Sequence, residues 1–256
     1  MYAIQATPPT LKRMGHNVPV SPVLHFEPAP NARPLPELPL LIVVGLTGVG
    51  KTSFTRALGW PTLPGRRELV DRYLLPRLGA DPARLDRAQR FALTARWRAE
   101  HPGGIAEALA AGYAEPVWPL VFDGLRGEAE VRFARERFAE ARFVVLEAPA
   151  AVRLERLLGR GEGFDRVAVR REEAARFREL AEGVLPQGEL DRLLGRGHPL
   201  EALIEKLKIV AEEQKHYHPD GPRRALAGSE RALFLDTAAL NPEAAADRVR
   251  AWLEEA

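Results

Sequence analysis

Five aliphatic residues, Leu40, Leu41, Ile42, Val43 and Val44, run without a break into Gly45, Leu46, Thr47, Gly48, Val49, Gly50, Lys51 and Thr52, and a helical pattern follows to Leu58. The eight-residue segment satisfies G-x-x-x-x-G-K-[ST] at every fixed position. A buried strand, a glycine-rich turn and a helix in that order commit the chain to an α/β unit whose strand ends at a helix N-terminus. The glycines let successive backbone N–H groups curl around phosphate oxygens, and the helix N-terminus adds positive potential. Lys51 is expected at the β- and γ-phosphates and Thr52 as a hydroxyl ligand of Mg²⁺, with Ser53 beside it in the first helical turn. The expected cofactors are therefore ATP and Mg²⁺.

Three further β runs alternate with helical patterns. Val117 to Phe122 ends at Asp123 and precedes a helix over Val131 to Phe138, while Phe143 to Leu146 precedes a helix through Arg153 and Leu157. Ala232 to Leu235 ends at Asp236 and leads through Asn241 and Pro242, a helix-start signal, into Val249, Trp252 and Leu253. This alternation predicts a mostly parallel sheet covered on both faces, a three-layer sandwich. Two long helical stretches interrupt it, placing insertions at about 67–112 and 164–216 over the strand ends, where ligands of open α/β sheets sit. Residues 1–37 carry eight prolines, too many for a helix or a central strand, and read as an extended arm before a domain over 38–256. Its Val23, Leu24 and Phe26 remain able to pack on the body.

Composition narrows the function classes. Cysteine is absent, which removes disulfides, thiolate metal sites and a cysteine nucleophile together. The apolar stretch from Leu40 to Leu46 falls far short of the roughly 20 residues that span a bilayer, so a cytoplasmic protein without a membrane partner is expected. Net charge is +2 with no dense basic block, which argues against a nucleic-acid partner. Only five of the 37 basic residues are lysine; arginine suits bidentate recognition of phosphate or carboxylate, and a GC-rich genome produces the same bias. Two methionines and few Asn or Gln also fit a thermophile's composition.

The loop, the turn Asp123, Gly124, Leu125, Arg126 with Glu130 and Val131 after it, and the set Ala148, Pro149, Arg153, Glu155, Arg156, Arg160 together resemble the nucleotide-kinase-like branch of P-loop NTPases. That branch includes dephospho-CoA kinase and archaeal kinase-like proteins. Leu63 to Arg67 and His101 to Gly104 are similar to segments of bacterial P-loop ATPase and kinase proteins. The resemblance spans roughly 38–166 and the last strand and helix. It implies that Asp123 is the Walker B carboxylate, holding Mg²⁺ directly or through water; a turn residue capping the next helix is the alternative. Gly124 stands where AAA-type and ABC-type ATPases place a glutamate that activates water, and neither an L-S-G-G-Q nor an N-K-x-D segment occurs.

The resemblance further implies an arginine lid after the third strand. Arg153, Arg156 and Arg160 share a helix face, and Arg156 and Arg160 are expected at the transferred phosphoryl; a solvated face paired with Glu155 and Glu162 is the other reading. Arg66, Arg67 and Arg126 are expected to bind the acceptor, with Asp71 as a base for its hydroxyl or, otherwise, a partner of Arg72 or Arg67. Thr237 and Ala238 match the place where adenine is held, and His216 to Asp220 reads as an exposed loop. The function expected is transfer of the γ-phosphoryl of Mg-ATP to a small, anionic acceptor; the alternative is an ATPase or nucleotide-dependent switch acting with a protein or nucleic-acid partner.

Overall fold

The computed structural model describes residues 22–159 and 171–255. Its short edge elements are β1 (Arg33–Pro34) and β3 (Tyr113–Ala114), an antiparallel pair with Arg33 opposite Ala114. The main sheet contains β2 (Leu41–Val44), β4 (Val121–Leu125), β5 (Arg142–Glu147) and β6 (Ala232–Asp236) in the spatial order β4-β2-β5-β6, every pairing parallel. The expected α/β three-layer sandwich is present.

Alternation along β2 explains the layers. Leu40, Ile42 and Val44 point to one core with Phe122, Phe143 and Val145; Leu41 and Val43 point to the other with Val144 and Leu146. The second face is covered by α1 (Lys51–Leu58), which buries Phe54 and Leu58 four residues apart, and by Ala245, Ala246 and Val249 of α12 (Pro242–Glu255). Covering the first face are α5 (Ile105–Ala110), α6 (Glu128–Arg137) and α11 (Gly221–Ala225).

Strand β4 differs from its expected span. It begins at Val121, after Pro119, which has no N–H to donate to a ladder, and it continues through Asp123 and Gly124 to Leu125. Asp123 is thus inside the strand. Pairing advances two residues on β2, Ile42 to Val44, against three on β4, Phe122 to Leu125, so the Asp123–Gly124 stretch bulges. A Cβ at position 124 would lie 2.2 Å from the Phe122 ring, which only glycine avoids.

The first insertion is broken into α2 (Arg66–Leu69), a π-helical turn over Val70–Leu74, α3 (Leu75–Arg77), α4 (Arg87–Glu100) and α5. Asp86 starts α4 with a capping box to Gln89. The second consists of α8 (Arg171–Ala181), α9 (Gln187–Gly195) and α10 (Leu200–His216), stacked on α7 (Ala150–Leu158) through Leu154, Phe177, Leu193, Leu203 and Leu207. Among residues 22–37, expected as an arm, Val23 is exposed but Leu24 and Leu35 are 1% and 0% exposed within the first core. No helix among the described residues is long and apolar enough to cross a membrane.

Candidate active site

The loop from Gly45 to Thr52 leaves the carboxyl end of β2 and enters α1. Gly48 and Gly50 hold φ of +87° and +96°, a region L side chains avoid, and a Cβ on Gly48 would lie 2.7 Å from the Arg153 carbonyl oxygen. Glycine is therefore required by the backbone path at positions 48 and 50. Lys51 donates from Nζ to the carbonyls of Gly45 at 2.6 Å and Leu46 at 3.2 Å. Burial of its ammonium, with the Arg126 cation nearby, lowers its pKa from the ordinary 10.5 to about 7, opposed by Glu213 and Asp123. Thr52 and Ser53 lie exposed in the first turn of α1. A Gly-rich loop joining a central parallel strand to a helix, inside a sheet covered on both faces, settles the architecture. This is a P-loop fold.

Arginines brace the loop from behind. Arg153, 1% exposed, donates from Nε to the Thr47 carbonyl at 2.8 Å and pairs with Glu213. Arg156 donates to the carbonyl of Val49 at 3.1 Å, to Thr237 Oγ1 at 3.0 Å and to the Thr237 carbonyl. Thr237, 7% exposed, is itself within hydrogen-bond distance of the Val49 and Glu147 carbonyls. Arg156, one of the two arginines expected at the transferred phosphoryl, thus contacts the Val49 and Thr237 carbonyls and the Thr237 hydroxyl, and the Thr237 side chain is buried against the loop. Arg160 lies outside the described residues.

Beside the loop is a cavity of about 260 Å³, walled by Thr47, both insertions and the residues after β4. Two of the three expected acceptor arginines, Arg66 and Arg126, line it. Arg66 pairs with the buried Glu130 at 2.8 Å and donates to the Tyr217 hydroxyl at 2.7 Å, which also accepts from Arg98 at 3.1 Å. Arg126 pairs with Glu213 at 3.0 Å. Val70, Leu74, Trp97, Ile105 and Ile209 supply an apolar wall. Arg67 is 87% exposed, 4.0 Å from Asp71, and Asp71 is paired with Arg90; neither lines the cavity. Arg126 also borders a second cavity, about 430 Å³, at the carboxyl ends of β5 and β6.

Glu213 and Tyr217 were not anticipated. Tyr217, expected in an exposed loop, is 8% exposed. The signal for Glu213 was its place on the buried stripe of α10, three residues after Val210 in the series Leu200, Leu203, Leu207, Val210. A carboxylate there has to find cations or remain unpaired at high cost.

A scan against family models finds no match, nor does a comparison with curated proteins. Among solved structures, the chain is similar to a sugar kinase from Janibacter sp. HTCC2649, 17% identical over 85% of this chain and 95% of that one, with a TM-score of 0.37. A gluconokinase from Sinorhizobium meliloti 1021 shares 17% identity over 87% and 94%, TM-score 0.40. A sulfotransferase from Alicyclobacillus acidocaldarius shares 14% over 84% and 81%, TM-score 0.39. Kinases and a sulfotransferase stand side by side, so the likeness does not choose a reaction.

Proposed function

We propose that the protein is a phosphotransferase that moves the γ-phosphoryl of Mg-ATP to a small anionic acceptor held in the cavity beside the loop. The observation that carries this reading is that Thr47 belongs both to the phosphate loop and to the wall of a cavity lined by Arg66, Arg98 and Arg126. An acceptor there would abut the end of a nucleotide's phosphate chain.

Backbone N–H groups of the loop other than that of Thr47, which Glu213 already accepts, would hold the phosphates, and Lys51 would leave its two carbonyls for them. The residues present fit Mg²⁺: Thr52 offers an exposed hydroxyl in the first turn of α1, and Asp123 a carboxylate whose charge Lys51 feels. The cation supplies neutralisation of phosphate charge. Arg66 and Arg126 orient the anionic acceptor, while Arg156 holds the loop's shape through Val49 and Thr237. Asp71 is assigned no proton transfer, because Arg90 occupies it.

Gly124 next to Asp123 provides no carboxylate to activate water, so turnover should depend on acceptor. The test is ADP release from Mg-ATP with a panel of phosphorylated and carboxylated hydroxyl compounds. Acceptor-dependent release lost in Arg126→Ala supports the reading. Brisk hydrolysis without acceptor, unaffected by that change, overturns it in favour of an ATPase or switch.

A further inference from the structure

The second insertion brings a negative charge onto the phosphate loop. The Glu213 side chain is 5% exposed, and its two oxygens accept the Thr47 backbone N–H at 3.0 and 2.9 Å and the Thr47 hydroxyl at 2.8 Å. It also pairs with Arg126 at 3.0 Å and with Arg153. A buried carboxylate is tolerated only when so fully paired. Its partners, however, differ in permanence. Arg153 is fixed by the Thr47 carbonyl, whereas Arg126 borders both cavities and its buried Nε has no hydrogen-bond partner among the described residues.

We propose that Glu213 is a positioning residue that couples phosphate loading of the loop to the shape of the acceptor cavity. The proposal rests on the phosphotransferase reading and adds to it an order of events. Phosphate oxygens arriving on the loop compete with Glu213 for Arg126, because a doubly charged phosphate is the stronger acceptor for a guanidinium. They also repel Glu213 through a poorly screened interior. Released from Arg126 and repelled by the phosphates, Glu213 shifts against its remaining partners Thr47 and Arg153, and the helix that carries it shifts with it. That helix, α10, supplies Ile209 and Glu213 to the cavity wall, and Tyr217, which receives Arg66 and Arg98, lies just past its end. The nucleotide would thereby set the acceptor site before the acceptor binds.

Hydrogen exchange of residues 200–217 in the full chain, with and without Mg-ATP, tests this in wild type, Glu213→Gln and, as a control at an exposed position of α10, Glu205→Gln. Mg-ATP is expected to change exchange over 200–217 about fivefold or more in wild type and the control. In Glu213→Gln, which keeps an acceptor for Thr47 but loses the charge, residues 45–58 should still be protected while the change over 200–217 disappears. In steady state that variant should lose about tenfold in kcat, and its Kd for ATP should fall rather than rise, because the repelling charge is gone. An undiminished change over 200–217 in Glu213→Gln overturns the proposal. So does its absence in wild type whose loop is protected, a result that stands even if the variant does not fold. Absence of loop protection in wild type would instead bring down the phosphotransferase reading, and the coupling with it.

Discussion

The phosphate loop and the cavity beside it are both rich in arginine, yet the guanidiniums serve opposite ends. Behind the loop, Arg153 and Arg156 donate to carbonyls of Thr47, Val49 and Thr237, oxygens that are permanent parts of the main chain, and Arg153 also holds the buried Glu213. Around the cavity, Arg66 and Arg126 are balanced by the carboxylates of Glu130 and Glu213 and face open space. A guanidinium on a carbonyl is used up in holding shape. One that shares a carboxylate at a cavity wall can exchange partners when an anion arrives.

The comparison is broken most directly at Arg153. Arg153→Ala leaves the buried Glu213 short of a cation, and a loss of stability of about 3–5 kcal/mol is expected, read by urea unfolding. Arg126, whose side chain is 30% exposed, should cost clearly less. Equal costs would erase the distinction between brace and cavity residue.

Lys51→Ala should lower ATP turnover by about 10²–10³-fold with the melting profile largely preserved, because no neighbouring residue replaces its charge at the phosphates. Unchanged turnover and ATP affinity would remove the loop from the mechanism. Arg126→Ala should raise the KM for the acceptor about 10–100-fold and, since arriving phosphate also draws on this guanidinium, weaken ATP binding by a smaller factor, read by calorimetry. A larger loss for ATP than for the acceptor would remove Arg126 from the acceptor site.

Lys51 also gives a pH signature. With its pKa at about 7 in the folded chain and 10.5 as the ordinary value, the unfolded chain holds the additional proton between those limits. Its contribution to stability is therefore lowest below pH 7 and rises as pH climbs from 7 towards 10.5. Unfolding at pH 7 and 9.5 should show that rise in wild type and its loss in Lys51→Ala. The smallest effect is expected at the exposed Arg67, where Ala should change stability by less than about 0.5 kcal/mol and leave acceptor KM intact.

Much of the fold was legible because it is written in short-range pattern. The unbroken apolar run Leu40 to Val44 and the runs at 143 and 232 located three strands of the main sheet, and the helix starts followed from spacing and Pro242. The fourth strand was displaced because apolar residues before Val121 resemble strand by composition, while Pro119 denies the ladder a donor. The first insertion read as continuous helix but divides at the π turn and around residues 78–86. The prolines of residues 22–37 argued against a regular helix and left undetermined the 3₁₀ turn over Leu35–Glu37 and where Leu24 and Leu35 would be buried.

By itself the sequence determined the phosphate loop, since its glycines, lysine and hydroxyl are consecutive and their backbone geometry follows from which residues tolerate positive φ. Tertiary structure alone decided what each arginine does. Arg66, Arg67, Arg153 and Arg156 carry the same side chain and all sit on helices, and their roles separate only when the fold supplies a carbonyl, a carboxylate or solvent opposite each one. Glu213 meets Thr47 across 166 positions of chain, a distance over which local pattern carries no information.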